Sequence, residues 1–188
     1  MPQPREERCG ACRRHPPTQD ALWAAYPYRF PVDTLLTGYK YRRLMPQGRV
    51  LQDLFLEAVL AGVDHGALRL PDLLIPVPLH PTRLRERGFN QSLELARRLA
   101  KALDLGIAPR LMQRVHATAS QAGLPHASRA KNVRKAFRCG KFITGQTVVI
   151  VDDVVTTGST VGEIAGVLKR AGAERVDVWT FARTEGDS

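Results

Sequence analysis

Two adjacent carboxylates, Asp152 and Asp153, close an apolar run that begins at Thr147, and five residues of hydroxyl and glycine character, Thr156-Thr157-Gly158-Ser159-Thr160, follow after a two-residue spacer. Paired acids can accept hydrogen bonds from sugar hydroxyls or from magnesium-bound water. A short turn of Thr, Gly and Ser at the start of a helix offers backbone amides, hydroxyls and the positive end of the helix dipole, which together form a seat for an anion. One ligand with a sugar and a phosphate, such as a ribose 5-phosphate, would use both halves.

The elements that must carry these residues are legible nearby. Val148 to Val151 are four consecutive β-branched residues after Gly145, which suits a central strand of a parallel sheet covered on both faces. Ile164, Val167, Leu168 and Ala171 recur at helical spacing behind the Thr/Ser turn, and Gly172 is the expected stop. Ligands of such sheets bind at the carboxyl ends of the strands, where the acids stand.

An apolar run, two acids, a two-residue spacer and Thr-Thr-Gly-Ser-Thr resembles the phosphoribosyl-pyrophosphate signature of type I phosphoribosyltransferases. A second stretch, Pro76-Val-Pro-Leu-His80-Pro-Thr-Arg83-Leu-Arg85-Glu-Arg87-Gly88-Phe89-Asn90-Gln91, together with Gln121-Ala-Gly-Leu and Arg129-Ala-Lys131-Asn132, resembles the ComF (competence protein F) family of that superfamily. The likeness extends over roughly residues 8 to 184. It implies a Rossmann-like parallel sheet flanked by helices, an α/β fold, with a small N-terminal cover region.

The resemblance also implies a reaction, in which a nucleophile displaces pyrophosphate from C1 of the ribose. The ring gathers positive charge and the leaving group negative charge. Asp152 and Asp153 would hold the ribose and favour the cationic ring, while Mg2+, held mainly through the ligand, would neutralise part of the pyrophosphate. Thr156, Thr157, Gly158, Ser159 and Thr160 would bind the 5-phosphate. Arg87, Gly88 and Phe89 match the pyrophosphate loop, an Arg-Gly-Phe like that of adenine phosphoribosyltransferases, with Asn90 and Gln91 as donors at the next helix start; a plain helix cap is the competing role for Asn90. His80, Arg83 and Arg85 are further candidates, with loop stabilisation as the alternative. Gln121, Arg129, Lys131 and Asn132 fall in a long polar stretch, residues 116 to 136, that matches the family's mobile flap. Arg129 there is expected to act on turnover more than on ground-state binding. In hypoxanthine-guanine enzymes an acidic residue assigned as a base stands where this chain has Thr156, so a 6-oxopurine acceptor is disfavoured and no residue identifies the nucleophile.

Charge supports an anionic partner. The chain has a net charge of +10, and residues 83 to 138 hold 13 Lys and Arg against 3 acids, so the excess lies in the segment that carries the second motif. A solvated basic face, a nucleic acid and a polyanionic small molecule are three readings of such a segment. Phosphoribosyl pyrophosphate, with two separate phosphate groups, is the favoured one. The rival functions are a non-catalytic sensor of the same ligand and a single-stranded DNA-handling factor acting with competence machinery, as ComF relatives are associated with natural transformation.

With 188 residues and 44% apolar content, the expectation is one domain over residues 21–188 and a 1–20 appendage. No apolar stretch approaches a membrane span and the first residues lack the apolar centre of a secretory signal, so no membrane insertion and a cytoplasmic location are expected. A homodimer is among the expected assemblies. Cys9 and Cys12 have the spacing of half a zinc site, with His15 or a partner subunit as sources of further ligands, but the set is incomplete where the ComF family often carries a fuller zinc ribbon, and a disordered or truncated remnant of that ribbon is the favoured reading. Other expected elements are a strand from Leu22 to Phe30, a short helix near Pro31 to Tyr39, a helix from Gly48 to Ala61, a strand Leu73 to Val77 and a helix from Asn90 or Ser92 to Leu103 ended by Gly106. A basic helix from Ser128 to Ala136, the sheet resuming near Phe137, and a last strand from Arg175 to Ala182 complete the set. By the resemblance, Tyr39 and Tyr41, beside Lys40, Arg42 and Arg43, would touch the ligand from the cover region, against the alternative that they are core aromatics and surface basics.

Overall fold

Uninterrupted apolar segments pair into one sheet, and the amphipathic segments between them pack on its faces. The computed structural model describes residues 16–42, 45–115 and 135–184. Along the chain these form β1 (Ala21–Pro27), α1 (Val32–Arg42), α2 (Met45–Asp64), β2 (Leu73–Pro76), α3 (Pro81–Arg87), α4 (Gln91–Leu103) and β3 (Gly106–Ile107). Then come β4 (Met112–Arg114), β5 (Phe137–Cys139), β6 (Thr147–Val155), α5 (Ser159–Arg170) and β7 (Arg175–Arg183).

The main sheet has the order β1-β7-β6-β2-β3, and every neighbouring pair is parallel. β6 is therefore central, as its β-branched run requires: Val148, Val149, Ile150 and Val151 are all fully buried. Successive side chains go to opposite faces. Val148 and Ile150 join Ile164 and Leu168 of α5 in one core, while Val149 and Val151 join Leu95 and Leu99 of α4 and Phe55 of α2 in the other. At roughly 1.5–3 kcal/mol for each fully buried aliphatic side chain, this packing makes the strand carrying the acids one of the most firmly held elements. No helix among the described residues is long and apolar enough to cross a membrane.

Several expectations are corrected. β6 does not end at the acids but runs on to Val155, so Asp152 and Asp153 lie within the strand. Phe137 does not resume the main sheet: β5 pairs antiparallel with β4 in a separate two-stranded sheet. The α4 helix is closed by Asp104 in the left-handed conformation, φ 54°, and Gly106 instead begins β3, whose close approach to the Asp72 carbonyl leaves little room for a side chain. The stretch after β2 is not all loop. His80, Pro81 and Gly88 bracket α3, with Pro81 at its first turn and Gly88 as a left-handed cap, yet none of its residues is buried. Residues 1 to 15, with Cys9, Cys12 and His15, lie outside the described residues, as does the expected basic helix up to residue 134.

Candidate anion and sugar site at the tip of the central strand

The pairing of β2 with β6 puts the end of β2 beside Val151, the residue before the acids, and the start of α4 meets the chain just beyond β2. Val77 donates its N–H to the Val151 carbonyl at 3.0 Å, and Asn90, the N-cap of α4, donates from Nδ2 to the Val77 carbonyl at 3.0 Å while its Oδ1 accepts from Ser92 N–H at 3.1 Å. Ser92 is thereby held so that its hydroxyl donates to Asp152 Oδ1 at 3.0 Å. The same oxygen accepts the Asp153 N–H at 2.9 Å, and Asp153 Oδ1 accepts the Val154 N–H at 2.9 Å. Asp152 is only 7% exposed and Ser92 4%, so this contact between residues sixty positions apart is a buried one.

Asp152, Val154, Val155, Thr156 and the residues through Val161 line one open pocket. Its floor is the start of α5. Gly158 caps that helix with φ 76°, a left-handed conformation that glycine adopts without strain, and it brings no side chain to the helix start. Thr157 Oγ1 accepts the Ser159 N–H at 3.2 Å and shares a hydrogen bond of 2.8 Å with Ser159 Oγ. The first turn of α5 holds no acidic residue, so its dipole is not neutralised by the chain there.

The arginine-glycine-phenylalanine stretch stands at the junction of α3 and α4. Arg87 Nη1 donates to Gln91 Oε1 at 3.3 Å, Gly88 has φ 83°, and the Phe89 ring lies against Tyr39 with centroids 4.9 Å apart. Gln91 is 2% exposed, and among the described residues its Nε2 is a buried donor with no acceptor. Burial pushes the Tyr39 hydroxyl up to about 12; its hydrogen bond with Gln52 opposes this, and the charges of Glu94 and Asp153 add to it. Tyr39 is a core residue, 3% exposed, so it does not touch a ligand directly. The side chains of residues 40 to 43, Tyr41 among them, lie outside the described residues.

His80 has a local role as the N-cap of α3, Nδ1 accepting the Thr82 N–H at 3.3 Å, and Arg83 lies 3.7 Å from Glu86. Arg129, Lys131, Asn132 and Gln121 lie outside the described residues. Sequence reasoning missed two residues. Ser92 looks like an ordinary first-turn serine until β2 and β6 are paired. Arg114, one arginine among many in the basic segment, sits opposite Phe137 in the β4–β5 register with its Cζ 5.5 Å from that ring. Burial and the like charge of Arg83 lower its pKa, and the charge of Asp152 opposes them.

A family model described as a phosphoribosyl transferase domain matches residues 90–187, from the cap of α4 to beyond β7. The DNA utilization protein YhgH of Salmonella typhimurium is 41% identical over 176 residues, covering 94% of this chain and 78% of that protein. Competence protein F of Haemophilus influenzae is 33% identical over 180 residues, covering 94% and 79%. Among solved structures, a purine phosphoribosyltransferase from Pyrococcus horikoshii aligns with 72% of this chain and 84% of its own at 20% identity and a TM-score of 0.44.

Proposed function

The chain belongs to the phosphoribosyl transferase domain family, with competence protein F among its relatives, and on that premise we propose that it binds phosphoribosyl pyrophosphate at the tip of β6 and transfers the ribosyl group with loss of pyrophosphate. The observation that carries this reading is the single pocket in which buried Asp152 adjoins the acid-free start of α5. The 5-phosphate sits on the Thr156 to Thr160 turn, where amides and hydroxyls converge. Asp152 and Asp153 accept the ribose hydroxyls and stabilise the positive charge that grows on the ring as the C1–oxygen bond breaks. The diphosphate lies toward Arg87 and Gly88, at the left-handed turn between α3 and α4.

Among the described residues no three His, Cys, Asp or Glu side chains gather to hold a metal ion. Mg2+ would enter on the diphosphate, Asp152 and Asp153 are the residues that would receive its water shell, and the chemistry it would supply is charge neutralisation at the leaving group. Which nucleophile attacks is open to a panel of acceptors assayed for pyrophosphate release; binding without release across the panel marks a sensor. A second reading, contact with single-stranded DNA, draws on α3, which buries none of its residues and presents Arg85 to solvent, and on the relatives' names. It requires steeply salt-dependent binding that survives Asp152→Asn.

The test of the main reading is calorimetry with phosphoribosyl pyrophosphate and Mg2+ on the wild type and on Asp153→Asn. Binding by the wild type that is lost or cut at least about tenfold in the variant is the expected outcome. No heat of binding to the wild type refutes it.

A further inference from the structure

We propose that Tyr39 is a positioning residue for the Arg87–Phe89 loop: by stacking on Phe89 it fixes where the Gly88 backbone and the Arg87 side chain stand relative to the acid pair. This rests on the reading of that loop as the diphosphate end of the site. The Tyr39 ring meets Phe89 at 4.9 Å and 48°, in the tilted geometry that aromatic pairs favour. It cannot slide toward α2, because Gly48 approaches so closely that even a Cβ at that position would overlap the Tyr39 ring. The hydroxyl is tied to Gln52 of the same helix, and the ring is near enough to Asp153 for that carboxylate's charge to be felt there.

The loop needs such a support. Gly88 is left-handed at φ 83° and α3 buries no residue, so the helix before the loop gives it no core anchor. Phe89 belongs to the core built from α1, α2 and α4, and Tyr39 is its partner there. A change at Tyr39 therefore reaches the diphosphate end through Phe89, while the Thr156 to Thr160 turn stands on α5 and the opposite core.

Ribose 5-phosphate and phosphoribosyl pyrophosphate separate the two ends, because only the second carries a diphosphate. Their dissociation constants are measured by calorimetry on the full chain, as wild type, Tyr39→Phe, Tyr39→Leu and Phe89→Leu. Tyr39→Leu is expected to weaken phosphoribosyl pyrophosphate about 3- to 10-fold, the scale of a lost aromatic pair, with ribose 5-phosphate changed less than about twofold. Tyr39→Phe keeps the ring and restores the affinity. Phe89→Leu reproduces the split from the loop side if Tyr39→Leu does not fold. Equal weakening of both ligands, or unchanged diphosphate affinity in Tyr39→Leu and Phe89→Leu, overturns the inference while leaving the site. A wild type that binds neither ligand refutes the functional reading and the inference with it.

Discussion

Removing one hydroxyl should measure how firmly the two halves of the site are joined. Ser92→Ala deletes the donor to Asp152 Oδ1, a bond of 3.0 Å between residues that are 4% and 7% exposed. A hydrogen bond to a charged group contributes about 1.5–3 kcal/mol. Because the same oxygen keeps the Asp153 N–H at 2.9 Å, the lower end applies, about 1.5 kcal/mol. For a domain of this size that is a fall in Tm of about 3–6 °C. The assay is thermal unfolding of wild type, Ser92→Ala, Asp152→Ala and the double variant. The two residues touch, so their effects should fail to add by about 1 kcal/mol or more. Additivity within about 0.5 kcal/mol would refute the reasoning, since the bond would then hold nothing together.

Two further outcomes test the frame around the site. Gly158→Ala meets no atom of the described residues within 4 Å, so its cost there is the left-handed backbone, about 1–2 kcal/mol by denaturant titration. Gly158→Asn should cost less, because Asn tolerates that conformation better, and an Ala variant as stable as wild type would mean the turn does not need it. The third concerns acid stability. Burial pushes the Asp20 carboxyl up, but hydrogen bonds from Lys169 and Val176 and the charges of Lys169 and Arg175 outweigh it and leave the group below its ordinary value of 3.8. A depressed carboxyl adds stability above its unfolded pKa and loses it as pH falls through the lower folded value. The stability gap between wild type and Asp20→Asn should therefore be full at neutral pH and shrink below about 3.8; a gap constant with pH would contradict it.

What could be read from residues alone was what is local and periodic. Val148 to Val151 and the Ile164, Leu168 spacing announce β6 and α5 because burial on two faces or on one stripe leaves a pattern in the chain itself. α3 escaped because Pro81-Thr-Arg-Leu-Arg-Glu-Arg buries nothing and so has no apolar stripe, although its cap residues were in view. β4 escaped because three residues pairing with a strand more than twenty positions away carry no signal of their own. The Ser92–Asp152 bond depends on which strands lie side by side, and the Tyr39–Phe89 stack on how α1 packs beside the start of α4, both properties of the whole fold. The acids themselves were plain; their place inside the strand was not, since Asp152 receives its donors from Ser92 and its own neighbour's amide.

The register of β2 on β6, Leu73 opposite Val148 through Pro76 opposite Val151, has a bearing on how this protein tolerates change. A slip of one residue would exchange the faces of all four β6 core residues together with both acids, so no sequence drift can misplace the carboxylates without first emptying two hydrophobic cores. The site is thus proofread by stability: defects remote from any ligand, at Val149 or Ile150, surface as loss of the folded chain rather than as a wrongly aimed acid. Variation is left to the solvent side of α3 ahead of Arg87, where exposed residues such as Arg85 answer to no core.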